Sequence, residues 1–204
     1  MKKLNFLKFG LTVLMMTFAM TLCYSCSSDD EENNNQEVNP PSNGENGTIN
    51  GHAYVVLAGI KWATENVGNV ESAMISAIDS TYGCYYAQLN AKKAAENWGG
   101  TWELPTKNQW QALINECNWT WNVSGMLVEG KKENGEEGNS IFLPAAGTYL
   151  YGSRGFGGQG HYGYYWSMDF ESYLRFDQGN RRIIDWHMNG REPWDGMAVR
   201  PVSN

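Results

Sequence analysis

LPTKNQWQALINEC, residues 104–117, decides the fold class. Thr106 stands where a helix leaves its first N–H groups unpaired, and Gln109 three positions on completes a capping box. Trp110, Leu113, Ile114 and Cys117 then recur at helical spacing and give the helix one apolar face. Working outward, QLNAKKAAENW (88–98) predicts a second short helix, ended by Gly99 and Gly100. The rest reads as short strands and turns. AYVVLAGIKWA (53–63) is an opening strand or hairpin with a central glycine. NWTWNV (118–123), MLVEGKK (126–132), SIFLPAAG (140–147), GHYGYYWS (160–167), SYLRFD (172–177), RRIID (181–185) and MAVRPV (197–202) follow as β pieces. The glycine-rich GSRGFGGQGHYG (152–163) is expected to be a flexible surface loop. Two helices early and many strands late predict an α+β domain.

The N-terminal quarter has a different character. Lys2, Lys3 and Lys8 precede an apolar run from Phe9 to Leu22, 14 residues long. That is short of the roughly 20 needed to span a bilayer, and suits the core of a secretory signal over residues 1–25. Residues 26–50 hold six acids, no base and almost no apolar side chain. Such a segment cannot bury enough surface to offset ordering and is expected to be a disordered tether. From a net charge of −7, removing the leader's three lysines and the tether's six acids leaves −4 for the domain at 51–204. A mildly acidic domain is a poor nucleic-acid binder. About 150 residues is a common size for one domain with its own core.

Several motifs then occur in a recognisable order. IKWATENVG (60–68), YGCYYA (82–87), WGGTWELPTKNQW (98–110), NSIFLPAAG (139–147), GYYWS (163–167) and GMAVRPV (196–202) resemble the Fibrobacter succinogenes major paralogous domain. The resemblance implies the C-type-lectin-like fold of the formylglycine-generating enzymes: twisted antiparallel sheets, two helices, long loops and neighbouring domain ends. Ser25-Cys26 resembles a lipobox, which implies a signal cut before Cys26 and lipidation of that thiol. The acidic run behind it is similar to the export tag of surface lipoproteins in Bacteroides-type bacteria. An outer-membrane, lipid-anchored, outward-facing monomer is the expectation.

No catalytic constellation stands out. Formylglycine-generating enzymes, by that resemblance, bind copper through paired cysteines near the C-terminus, whereas this chain has no cysteine after Cys117. His52, His161 and His187 lack zinc-ligand spacing, Ser167 is not in a nucleophile elbow, and the glycine-rich run lacks the Lys-Ser/Thr of a phosphate loop. Neither a cofactor nor a metal is expected. An extracytoplasmic place permits a Cys84–Cys117 disulfide, while Cys117 on an apolar helix face also suits a packed thiol; both readings stay open.

Nine tryptophans invite a carbohydrate-platform reading. Trp62, Trp98, Trp102, Trp110 and Trp166 fall inside the motifs and are expected in the core. Trp119 and Trp121 alternate on one strand and share a face. Between GYYWS and GMAVRPV the pattern relaxes into a segment rich in Trp, Tyr and Arg, the residue types that dominate contact hot spots. In some relatives of the fold, retroelements diversify this segment. The expected ligand-contact residues are Asp169, Phe170, Glu171, Tyr173, Arg175, Arg181, Asp185, Trp186, His187, Arg191 and Trp194, with Arg182 and Glu192 beside them. The predicted function is binding of a protein or glycan through loops 169–195, without catalysis. Two alternatives stand: a polysaccharide-active enzyme using Asp169, Glu171, Asp185 or His187, and an adhesin or appendage-tip subunit.

Overall fold

In the computed structural model the described residues are 46–68, 77–79, 83–170, 172–185 and 195–204. Cys26, Glu171, Trp186, His187, Arg191 and Trp194 lie outside them. The architecture is α+β, with mostly antiparallel pairing and two helices.

The opening stretch is a hairpin. β2 (His52–Leu57) pairs with β3 (Ile60–Ala63), and Leu57 faces Ile60 across a two-residue turn. Ala58 and Gly59 both have positive φ, 54° and 69°, which a tight hairpin turn of matching twist requires. An alanine in that region costs about 1–2 kcal/mol. Glu136 offsets this: its buried carboxylate accepts the Ala58 N–H at 3.0 Å and the Gly59 N–H at 2.9 Å. Glu136 belongs to the loop between β7 (Gly125–Glu129) and β8 (Ser140–Pro144), and Asn139 of that loop donates to the Val56 carbonyl at 2.9 Å.

The same sheet joins the two ends of the domain. β1 (Gly47–Ile49) pairs with β2, and β14 (Val202–Ser203) pairs with β3, giving the order β1-β2-β3-β14. β1 falls inside the stretch expected to be tether, a correction of the domain boundary. Its polar sequence hides backbone pairing to Tyr54–His52, and Ile49 packs against buried aromatics.

α1 (Gln88–Glu96) and α2 (Lys107–Glu116) stand where predicted. Thr106 and Gln109 form the capping box, and Trp110, Leu113 and Cys117 are buried. β4 (Ala77–Asp79) and β5 (Gly83–Tyr85) form a small ribbon ahead of α1. β6 (Asn118–Trp121) follows α2 and pairs with β7. The glycine-rich run is structured as well as looped: β9 (Thr148–Leu150) pairs with β10 (Gly155–Gly157). A hydrogen-bonded turn through Gly158–Tyr162 follows it. Glycine there serves close backbone packing as well as turning.

A three-stranded sheet, β11 (Gly163–Trp166), β12 (Ser172–Phe176) and β13 (Arg181–Asp185), divides the core. Alternate residues go to opposite faces. Tyr165, Leu174 and Phe176 join a cluster with Trp62, Trp110 and Leu113. Tyr164, Trp166, Tyr173 and Ile184 join a second cluster with Trp98, Trp102 and the α1 alanines. Gly163 faces Phe176 so closely that a Cβ there would lie 2.0 Å from the ring, so no larger residue fits.

This division corrects one expectation and decides between two open readings. Tyr173 is buried, packed edge-on to Trp166 at 6.1 Å, because β12 is covered on both faces. It is a core residue and cannot contact a ligand. Cys84 and Cys117 form no disulfide: they are buried thiols in different clusters, Cys84 with the α1 alanines and Cys117 with Trp110. Burial pushes the Cys117 thiol up to about 12, with the Glu136 and Glu116 carboxylates adding to the effect. Cys84 is also raised by burial, against a hydrogen bond from Tyr86.

The five motif tryptophans are all buried, and four donate their indole N–H to a backbone carbonyl. Trp62 bonds Leu57, Trp102 bonds Ile49, Trp110 bonds Trp166 and Trp166 bonds Tyr86. The closing motif adds Arg200, fully buried beneath the first hairpin. Its Nε donates to Asn66 Oδ1 at 2.8 Å, Nη1 to the Ala63 carbonyl at 2.9 Å and Nη2 to the Phe142 carbonyl at 2.8 Å. Burial lowers the arginine's pKa, and the neighbouring Tyr165 hydroxyl and the Glu65 charge pull it back up.

Candidate functional site

Three loops meet at a cleft of about 570 Å³, lined by Trp121, Val123, Gly160, His161, Tyr162, Asp177 and Gln178. Each wall has its own local cause. The first is the end of β6. Trp119 and Trp121 share a face of that strand, and the chain then reverses through Asn122–Ser124, closed by Ser124 N–H to the Asn122 carbonyl at 2.7 Å. That turn forces Val123 to a φ of 55°, uncommon for a β-branched residue, and leaves it 88 % exposed at the rim.

The second wall is the turn after β10. Gly160 N–H bonds the Ala145 carbonyl at 2.7 Å and Tyr162 N–H the Gly158 carbonyl at 2.8 Å, which sets His161 and Tyr162 at the opening. The third is the β12–β13 turn. Asp177 Oδ1 accepts from the Gly179 and Asn180 N–H groups at 3.0 and 2.9 Å, and Oδ2 lies 3.4 Å from Arg175 Nη2. The Arg175 guanidinium stacks over Tyr162 at 4.7 Å. Burial works against the arginine's charge, but a hydrogen bond to Tyr164 and the charges of Tyr164 and Asp177 outweigh it and raise its pKa.

The expected contact residues that are described do not gather on one surface. The register Ser172↔Asp185 and Phe176↔Arg181 puts them at opposite ends of a strand pair, about 13 Å apart. At one end, Asp169 accepts the Lys107 N–H at the start of α2 and the Ser167 hydroxyl, and exposed Asp185 pairs with Lys107 Nζ at 3.1 Å. Phe170 there is 66 % exposed. At the other end, Arg175 reaches the cleft through Tyr162 and Asp177, and Arg181 covers the Trp119 ring at 5.7 Å. Asp195, buried, holds the Tyr151 N–H at 3.0 Å.

No family model, curated protein or solved structure matches the chain. Of the cleft's lining, Asp177 and Gln178 fall within the segment 169–195 expected to make contact, whereas Trp121, Val123, Gly160, His161 and Tyr162 lie outside it. Only folding brings 121, 161 and 177 together; the one local signal was the Trp119/Trp121 alternation.

A second cleft, about 390 Å³, is lined by Glu96, Gly100, Thr101, Trp102, Glu103 and Asn204. Its polar groups are engaged. The Thr101 and Ser203 hydroxyls bond at 2.7 Å, Trp102 N–H bonds Ile49, Glu103 accepts from Asn204 at 2.7 Å, and Glu96 pairs with Lys92. In the first cleft, among the described residues, the Trp121 indole N–H, the His161 ring, the Tyr162 hydroxyl and the Gln178 carboxamide make no side-chain hydrogen bond. Clefts that bind small ligands combine an apolar or aromatic wall with a few convergent polar groups. The first cleft fits that description.

Proposed function

We propose that this chain is a lipid-anchored surface protein whose domain binds a ligand without transforming it. The domain has the C-type-lectin-like fold implied by its motifs. Cys26 is the anchor, and the acidic stretch behind it is the tether, shorter than 26–50 because Asn46 already bonds Asn139 and β1 begins at Gly47. No helix among the described residues is long and apolar enough to cross a bilayer, so an anchor of another kind is compatible with the chain. The pairing of β1, β2, β3 and β14 in one sheet, which brings the domain's ends together, supports the fold reading.

One observation carries the binding reading: three loops far apart in sequence converge on a cleft where, among the described residues, the Trp121 indole N–H, the His161 ring, the Tyr162 hydroxyl and the Gln178 carboxamide make no side-chain hydrogen bond. Asp177 and Gln178 belong to the segment singled out for contact, whereas Asp169 and Asp185 are committed at the start of α2. Filling the cleft tests the reading. Gln178→Trp should abolish retention of the full chain on its ligand, polysaccharide or surface protein, with the melting temperature unchanged; undiminished retention would refute the site. For the anchor, Cys26→Ala should move the protein from the detergent to the aqueous phase on Triton X-114 partition. Persistence in the detergent phase would refute it.

A further inference from the structure

Trp119 and Trp121 sit on the same face of β6, one strand repeat of about 7 Å apart. Trp119 is closed off: its N–H bonds the Leu113 carbonyl at 2.9 Å, the Arg181 cation lies over its ring, and Phe176 meets it edge-on at 6.2 Å. Trp121 is half-buried against the same core, but no cation lies over its ring and its N–H makes no hydrogen bond among the described residues, and it forms a wall of the larger cleft. An indole is a flat apolar surface with one donor at its edge. Opposite it stand a phenol, an imidazole and a carboxamide, which between them donate and accept.

The charges narrow the ligand further. Among the described residues no lysine or arginine lines the cleft, and Arg175 beside it is engaged with Asp177 and Tyr162. Asp177 in turn uses both oxygens, one on its own turn and one toward Arg175. Among the described residues, Val123 is the one exposed large apolar side chain that rims this cleft. A stable protein interface of about 800 Å² per partner needs more such anchors at its centre. A ligand complementary to this cleft has a flat apolar face, many neutral hydroxyls and no net charge.

We infer that the cleft binds a pyranose ring of a neutral polysaccharide, with Trp121 under the apolar ring face and its N–H, His161, Tyr162 and Gln178 bonding the hydroxyls. This rests on the reading of the cleft as the ligand site and adds the class of ligand.

The test is affinity electrophoresis of the full chain in detergent, in gels cast with mannan, xylan or soluble starch and, separately, with pectin or alginate. Retardation is expected in at least one neutral gel. It should weaken about tenfold or more in Trp121→Ala and by a smaller factor in Gln178→Ala, and be unchanged in Glu103→Gln of the second cleft. Gln178 is exposed, so its variant keeps the test decisive if Trp121→Ala lowers the melting temperature. Retardation only in the uronate gels, or retardation equal in wild type and both cleft variants, overturns the inference. No retardation in any gel overturns it as well. In that event, a protein partner retained by wild type and lost in both cleft variants would keep the cleft as the ligand site. Retention indifferent to both variants would remove that reading too.

Discussion

The closing segment Gly196–Asn204 and the cleft at Trp121 use similar side chains to opposite ends. Around the tail, Arg200 directs three nitrogens to three acceptors, and Ser203 and Asn204 bond Thr101, Glu103 and Gln109. Around the cleft, an indole, a phenol, an imidazole and a carboxamide converge without such partners. The difference teaches where to look for function in a domain full of aromatics. A large ring says little by itself, because five of these tryptophans are simply core. What separates the two regions is whether the polar handle on each side chain is already used.

The contrast can be broken first at its strongest point. Trp110 is fully buried, 4.7 Å from Trp62 and 5.9 Å from Tyr165, and donates to the Trp166 carbonyl at 3.3 Å. Trp110→Ala should destabilise by about 3–5 kcal/mol in denaturant unfolding. A loss below that of Trp121→Ala would mean that core and rim have been exchanged. Arg200 comes next. Arg200→Leu strands Asn66 Oδ1 and the Ala63 and Phe142 carbonyls, each costing about 1–3 kcal/mol when buried without a donor. It also removes a desolvated cation, which works the other way. We expect a net loss of about 3 kcal/mol in denaturant unfolding; a change near zero would show that the cation's desolvation cancels its bonds.

The interior can also be sharpened by pH. The unfolded Cys117 thiol ionises near its ordinary 9.0, whereas the folded one holds its proton to about 12. Stability from this group is therefore complete below 9 and is lost as pH rises through that window, by about 1.4 kcal/mol per pH unit. Unfolding measured from pH 8 to 11 should show that slope in wild type and a shallower one in Cys117→Ala. Parallel curves would contradict the burial of the thiol.

Much of the scaffold was legible because its signals are local. The capping box at Thr106 and Gln109, the apolar spacing through Trp110 and Leu113, and the hairpin over 53–63 depend only on residues near in sequence. Glu136 was not legible: in EEGN it looks like one more solvated turn acid, and only the fold brings it beneath Ala58 and Gly59. Arg200 was hidden for the same reason, as a charge in a strand-like run. Tyr173 misled because aromatic and arginine-rich composition resembles a contact surface. Coverage of β12 on both faces, which buries Tyr173, is a property of the sheet and not of the segment. The cleft needed three separate loops to be placed, so composition alone pointed only to one of its walls.

The smallest expected effect on stability is also the one that bears most directly on the cleft. Gln178 is exposed in the turn between β12 and β13, and its carboxamide makes no hydrogen bond among the described residues. The turn itself is held by Asp177 accepting from Gly179 and Asn180, and by Asp177 N–H to the Asn180 carbonyl at 2.9 Å. Removing the Gln178 side chain therefore leaves every bond of the turn in place, and Gln178→Ala should change stability by no more than about 0.5 kcal/mol. A larger loss, read from the denaturant midpoint at unchanged slope, would show that the carboxamide serves the scaffold. The open set of cleft groups would then shrink to Trp121, His161 and Tyr162. A silent substitution would leave the carboxamide with no structural task, and the contrast between the engaged tail and the open cleft would stand on a residue whose only remaining use is outward.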